Sequence, residues 1–96
     1  MDSAAITTWG REVFGPADDL RKIVDRAQAE LDELRAAVAT DADISDIAAE
    51  AADVTILLHR LMGELGQDLS EAVAAKMQIN RARRWTRAGD GTGQHR

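Results

Sequence analysis

The sequence predicts an all-α fold: an antiparallel bundle of three long helices plus a short N-terminal helix, completed by oligomerisation. Three observations predict it. The hydrophobic content of 45% comes largely from alanine and leucine, which favour helix. Only three aromatic residues and one proline are present, which argues against a β-sandwich or barrel. A chain of 96 residues builds only a thin core of its own, so burial between subunits is expected.

The helix limits follow from capping residues and breakers. A short helix is predicted over 3–13, capped by Ser3 and ended by Phe14-Gly15-Pro16. A long helix then opens beside Asp18 and Asp19, whose charges suit a helix N-terminus, and runs to about Val38.

Two more helices complete the predicted bundle. After a turn over 39–43, the second long helix runs from Ile44, capped by Asp43 or Ser45, to Leu65-Gly66. The third begins at Asp68 or Ser70 and ends near Arg84. The chain is polar and rich in glycine from Thr86 onwards. The predicted organisation is therefore one helical domain over 1–85 and a mobile basic tail over 86–96.

Composition also excludes several classes of protein. The absence of cysteine rules out disulfides and thiolate chemistry. No apolar run approaches the 18 residues of a membrane span, and the first 20 residues lack a signal-peptide core. We therefore expect a soluble, cytoplasmic protein, which would lie in the host cytoplasm if it is viral.

Charge is distributed unevenly along the chain. Residues 1–75 hold six basic and sixteen acidic residues, whereas residues 76–96 hold six basic residues and one acidic residue. An acidic body with a basic end is compatible with self-association, nucleic-acid binding, or an anion held beside a metal.

The first two long helices each carry a pair of acids at one edge of the apolar stripe. Glu30 and Glu33 lie on the first of these helices, and Glu50 and Asp53 lie on the second. A short turn makes the two helices antiparallel neighbours, so the four carboxylates can converge. Oxygen ligands of this kind suit Mg²⁺ or Mn²⁺. The competing interpretation is a solvated acidic edge. A di-iron centre is weakly supported because neither helix carries the Glu-x-x-His motif.

The third long helix changes from apolar to basic along its inward face. The stripe that begins with Leu69 and Val73 continues through Lys76, Asn80 and Arg83. A phosphate chain between these donors and a metal would explain the change; otherwise the basic end is simply solvated.

The aromatic residues and His59 have an ordinary structural interpretation beside any functional one. Trp9, Phe14 and Trp85 suit base stacking, although such residues more often anchor cores or subunit contacts. His59 lies off the apolar stripe and is predicted to be a surface or interface residue.

Taken together, these segments resemble a known family. Ala29-Glu30-Leu31-Asp32-Glu33 and Glu50-Ala51-Ala52-Asp53-Val54 resemble the paired acidic motifs of the MazG-like, all-α nucleoside triphosphate pyrophosphohydrolases. Ala29 stands where the family often has another glutamate. The run from Lys76 to Trp85 is similar to the stretch with which small phage and bacterial members grip the triphosphate.

The resemblance implies a metal-dependent enzyme that cleaves between the α- and β-phosphates of a nucleoside triphosphate. It implies Mg²⁺ or Mn²⁺ as cofactor and a homodimer or a homotetramer built as a dimer of dimers. Small phage members that act on dGTP look similar, so a purine deoxynucleotide is the expected substrate. The metal-binding and catalytic residues would be Glu30, Glu33, Glu50 and Asp53. The substrate-binding residues would be Lys76, Asn80, Arg81, Arg83, Arg84, Trp9 and Trp85.

Two other functions remain open at this point. A non-catalytic helical oligomer acting as an interaction module would need no metal. Nucleic-acid binding through residues 76–96 is disfavoured by the overall acidity and by the lack of a helix-turn-helix pattern.

Overall fold

A computed structural model describes residues 1–96 as four α-helices followed by a β-hairpin. The helices are α1 (Ser3–Phe14), α2 (Leu20–Ala39), α3 (Ile44–Glu64) and α4 (Leu69–Ala82). The hairpin pairs β1 (Trp85–Arg87) antiparallel with β2 (Gly93–His95). None of the helices combines the length and the apolar character that crossing a membrane requires. The helical fold predicted from the sequence is thus confirmed, with a small hairpin added to it.

The pairing of α2 with α3 forms the centre of the fold. Asp19 caps α2 by accepting a hydrogen bond from the backbone N–H of Arg21 at 2.9 Å. Beyond the C-terminus of α3, Gly66 adopts a φ of 71°, the left-handed conformation that glycine tolerates best. Ile23 and Ala27 of α2 are buried. The short connection between the helices lays α2 along α3, and this places both acid pairs in the same region.

Helix α1 packs closely on α3. Its buried residues are Ser3, Ile6, Thr7 and Gly10. Gly63 permits the approach, because a Cβ atom there would lie 2.7 Å from the carbonyl oxygen of Ser3. The predicted capping role of Ser3 is wrong: Asp2 caps α1 by accepting a hydrogen bond from Ala5.

Ser3 instead joins three helices through a buried hydrogen-bond network. Its Oγ lies 2.8 Å from Nδ1 of His59 and accepts a hydrogen bond from the backbone N–H of Leu69 at 2.8 Å. Its own N–H donates to Asp68 at 2.9 Å. The prediction that His59 is a surface or interface residue is therefore wrong, since His59 is buried within the protomer by this network.

Helix α4 and the hairpin extend from this body. No residue of α4 is buried, and Val73, Met77 and Ile79 are exposed. In the hairpin, Thr86 pairs with Gln94, and the indole N–H of Trp85 donates to the carbonyl oxygen of Asn80 at 2.8 Å. The polar, glycine-rich composition of residues 86–96 did not predict this pairing.

Candidate metal centre

Three acids of the predicted cluster converge between α2 and α3. One carboxylate oxygen from each of Glu30, Glu50 and Asp53 lies within 4.8 Å of the others. One helical turn separates Glu50 from Asp53, so both project toward α2, and Glu30 meets them from the neighbouring helix. Glu33, one turn beyond Glu30, acts on both Glu30 and Glu50 through its charge and hydrogen bonding.

The electrostatics of the cluster disfavour full ionisation. A side-chain hydrogen bond with Glu33, then partial burial, then the neighbouring negative charges raise the pKa of Glu30. Partial burial is the main cause that raises the pKa of Glu50, followed by the charge of Glu33. Like charges at such short range repel, and each proton or cation that enters the cluster relieves the repulsion.

Unpartnered oxygen atoms show that the cluster fits a cation. Oε2 of Glu30 and Oε2 of Glu50 are buried and accept no hydrogen bond. Buried polar atoms without partners are costly, and a divalent cation with hard oxygen ligands would satisfy both. The donor set is all oxygen, which matches the preference of Mg²⁺ and Mn²⁺.

Arg26 supplies a nearby positive charge that the sequence analysis missed. Its guanidinium lies 3.8 Å from Oε1 of Glu30, one helical turn along α2. The i,i+4 spacing of Arg26 and Glu30 was the available signal. Because Arg26 is largely exposed, this pair offsets little of the charge of the cluster.

The predicted phosphate-binding residues lie elsewhere in the protomer. Lys76, Asn80 and Arg81 lie on α4, and Arg83 and Arg84 follow it. None of them forms an ion pair or a side-chain hydrogen bond with the four acids. Oδ1 of Asn80 is buried without a partner. Their role in substrate binding therefore stays a prediction.

The two tryptophans occupy separate surroundings. Trp9 packs edge-on against Phe14, with ring centroids 5.6 Å apart, at the C-terminal end of α1. Trp85 packs edge-on against His95 in the hairpin, with centroids 6.0 Å apart. Both indoles remain about half exposed, so each has an accessible surface.

Comparison with known proteins gives related sequences and a similar structure. A dATP/dGTP diphosphohydrolase of Cyanophage S-2L is 52% identical over 46 residues, which cover 48% of this chain and 44% of that protein. A dATP/dGTP diphosphohydrolase of Salmonella phage PMBT28 is 39% identical over 90 residues, covering 94% of this chain and 29% of that protein. The chain thus matches less than half the length of these curated relatives. No protein-family profile matches the chain.

The structural similarity extends over nearly the whole chain. A solved structure of a Cyanophage S-2L MazG-like pyrophosphohydrolase, bound to dGDP and three catalytic Mn²⁺ ions per active site, superposes with a TM-score of 0.72. The two chains are 35% identical, and the match covers 98% of this chain and 92% of that one.

Proposed function

This chain belongs to the MazG-like pyrophosphohydrolase family, and from that membership we propose that it hydrolyses deoxynucleoside triphosphates. The reaction would break the bond between the α- and β-phosphates and release a nucleoside monophosphate and pyrophosphate. The observation that carries the proposal is the convergence of Glu30, Glu50 and Asp53 within 4.8 Å. A purine deoxynucleotide such as dGTP is the proposed substrate, because relatives act on dATP and dGTP.

The four acids would hold the metal. Glu30, Glu50 and Asp53 offer the converging oxygens, and Glu33 stands beside them on α2. Bound Mg²⁺ or Mn²⁺ supplies the positive charge that stabilises phosphoryl oxygens and activates the attacking water. Glu33 is exposed and therefore well placed to accept the proton of that water, with Glu30 as the alternative base.

The basic residues after Val73 would bind the departing pyrophosphate. Lys76, Asn80 and Arg84 are the leading candidates, with Arg81 and Arg83 beside them. Because these side chains form no ion pair or side-chain hydrogen bond with the acids of their own protomer, a second protomer is the simplest way to bring the two sets together. Trp9 and Trp85 would contact the nucleoside by stacking.

Exposed apolar side chains support a homo-oligomer. Leu31 of α2 and Leu58 of α3 are exposed, as are Leu65 directly after α3 and Val73 and Met77 of α4. Large apolar side chains left in water on neighbouring helices are typical of subunit interfaces. A homodimer or a homotetramer is therefore proposed. A cytoplasmic location is also proposed, since free nucleoside triphosphates are found there.

A product assay tests the reaction. The protein is incubated with each NTP and dNTP in Mg²⁺, Mn²⁺ or EDTA, and the products are separated by ion exchange. We expect metal-dependent monophosphate and pyrophosphate. Diphosphate and phosphate would reject the cleavage position. A folded protein that turns over no nucleotide would favour the non-catalytic interaction module, which the exposed apolar faces also suit.

A further inference from the structure

The β-hairpin presents a basic and aromatic surface. Residues that face each other across antiparallel strands lie on the same side of the sheet, and side chains alternate along each strand. Trp85 and His95 therefore share one side of the hairpin with Arg87. Arg96 lies on the other side, where its Nε donates to Oγ1 of Thr86 at 3.1 Å. We call these four exposed side chains the hairpin surface: Trp85, Arg87, His95 and Arg96.

The cations of the hairpin surface have no acidic partner in their own chain. Neither Arg87 nor Arg96 forms an ion pair. Asp90 is the one acid among residues 76–96, and its carboxylate accepts hydrogen bonds from Thr92 within the hairpin turn. Trp85 is 43% exposed, so an accessible aromatic ring lies beside the unpaired charges. Arginine and aromatic side chains are enriched at contacts between proteins, which makes this surface a candidate for one.

An acidic surface of matching character lies at the turn between α2 and α3. Asp41, Asp43 and Asp46 are exposed there and form no ion pair. Val38 and Ile44 beside them are large and apolar, yet they are 56% and 86% exposed. Asp41 adopts a φ of 53°, and its N–H donates to the carbonyl oxygen of Val38, which fixes the turn. We call these five side chains the tip surface.

The opposite end of the α2–α3 pair has its acids neutralised. Asp18 pairs with Lys22 and Asp19 pairs with Arg21, each at 3.0 Å. Glu64 is held by two arginines of its own chain. Of the two ends of the central helices, the tip surface is therefore the one whose charge attracts cations from outside the chain.

The hairpin surface does not pair with the tip surface of its own protomer. No ion pair or side-chain hydrogen bond joins them, and α4 before the hairpin has no buried residue. The radius of gyration is 15.6 Å, whereas a compact domain of this length has about 12 Å. Helix α4 and the hairpin thus form an extended arm, which is suited to reach a second copy of the chain.

We propose that the hairpin surface of one protomer docks on the tip surface of a second copy of this chain, and that the second copy returns the same contact. In such a two-fold pair, each chain uses both of its surfaces, so both sets of charges gain partners. Single exposed ion pairs contribute little, and packing of Trp85 against Ile44 would bury the apolar area that they lack.

This contact would also act on the proposed site. The hairpin directly follows the basic end of α4, so docking would hold Asn80 and Arg84 of one protomer beside the acid cluster of the other. That step rests on the proposed function, whereas the unpaired charges and exposed apolar side chains do not depend on it.

Charge reversal tests the contact. One variant carries Arg87→Glu with Arg96→Glu, and the other carries Asp43→Arg with Asp46→Arg. Each variant alone sets like charges against each other, so we expect the protein concentration at half-association, measured by sedimentation, to rise roughly tenfold. An equal mixture of the two variants regains opposite charges at both contacts, so its half-association should return to the wild-type value. Recovery in the mixture would also show that both variants fold.

The control carries Glu12→Arg with Asp25→Arg. Both acids are exposed and unpaired, and the charge change equals that of the tip variant, so association should stay at the wild-type value. A hairpin variant that associates like wild type, or a mixture that does not recover, would overturn the docking. If the hairpin variant instead loses binding to a fluorescent single-stranded oligonucleotide while association persists, the surface binds nucleic acid and the docking is rejected.

Turnover measured in the same samples separates the docking from catalysis. Association that responds to charge as expected, without turnover of any triphosphate, would keep the docking and reject the proposed hydrolysis. Turnover in a protein whose association neither variant changes would reject the docking and keep the hydrolysis.

Discussion

Glu30 of α2 and Glu50 of α3 each bury one carboxylate oxygen against the other helix, and neither oxygen accepts a hydrogen bond. Burial and neighbouring charge raise the pKa of both groups, so the metal-free protein bears a local cost for keeping them ionised. Acids held together at such a cost are typical of functional sites, where their charge binds a cation.

Glu50→Gln should abolish hydrolysis and leave the helical fold intact. The amide keeps the size of the side chain but removes a negative ligand, so metal binding and turnover should both fall by at least a hundredfold. The thermal midpoint without metal should rise, because repulsion with Glu33 and Asp53 is relieved. Calorimetry and the product assay measure the two effects. Glu12→Gln, at an exposed position of α1, is the control and should change neither the turnover nor the thermal midpoint. Full activity in Glu50→Gln would refute the proposed metal site.

Divalent metal should stabilise the protein in a pH-dependent way. Because the folded-state pKa values of Glu30 and Glu50 are raised, the native protein binds more protons than the unfolded chain. Stability without metal should therefore fall as pH rises through the titration of these groups. Mn²⁺ needs the ionised carboxylates, so the rise in thermal midpoint on adding it should grow over the same pH interval. A midpoint that Mn²⁺ leaves unchanged at every pH would contradict the metal centre.

Glu64→Gln should destabilise the protein by about 2–4 kcal/mol, because the buried Arg60 loses its charged partner. Glu64 accepts hydrogen bonds from Arg11 and Arg60, which lower its pKa from the usual 4.5 to about 2. The carboxylate therefore contributes stability above the unfolded value, and that contribution is lost as pH falls from about 4.5 towards 2. Urea unfolding at pH 7 and pH 3 checks this. The difference in the free energy of unfolding between wild type and variant should narrow at pH 3. An equal difference at both pH values would contradict the stabilising role of the Glu64 carboxylate.

The sequence predicted the helices well because their signals are local. Asp19 at the start of α2 and Gly66 after α3 act as the patterns indicate. The acids were predictable for a related reason: i,i+3 spacing fixes the face of a helix, and a short turn fixes the neighbouring helix. The convergence of Glu30 with Glu50 and Asp53 followed from these two facts alone.

Features that depend on contacts between distant segments were not predictable. Nothing near Arg60 in sequence indicates that its guanidinium reaches the carbonyl oxygen of Gly15, 45 residues away. The hairpin was missed because its turn depends on Gly89 and Gly91 at positive φ and on Asp90 accepting a hydrogen bond from Thr92. Glycine-rich polar segments carry the same composition whether they pair or not.

The buried junction of Ser3 with His59 joins residues 56 positions apart, so it too was not predictable from the sequence. Ser3→Ala should destabilise the protein by about 1–3 kcal/mol, because Nδ1 of His59 and the N–H of Leu69 would lose their partner while the packing volume barely changes. The hydrogen bond from the backbone N–H of residue 3 to Asp68 would persist, so α1 should still form. Urea unfolding measures the loss, with Ser45→Ala at the exposed start of α3 as the matched control. If the two variants are equally stable, the network does not join α1 to α3 and α4. If only Ser3→Ala loses stability and its folded molecules keep their activity, this junction supports the fold and not the chemistry.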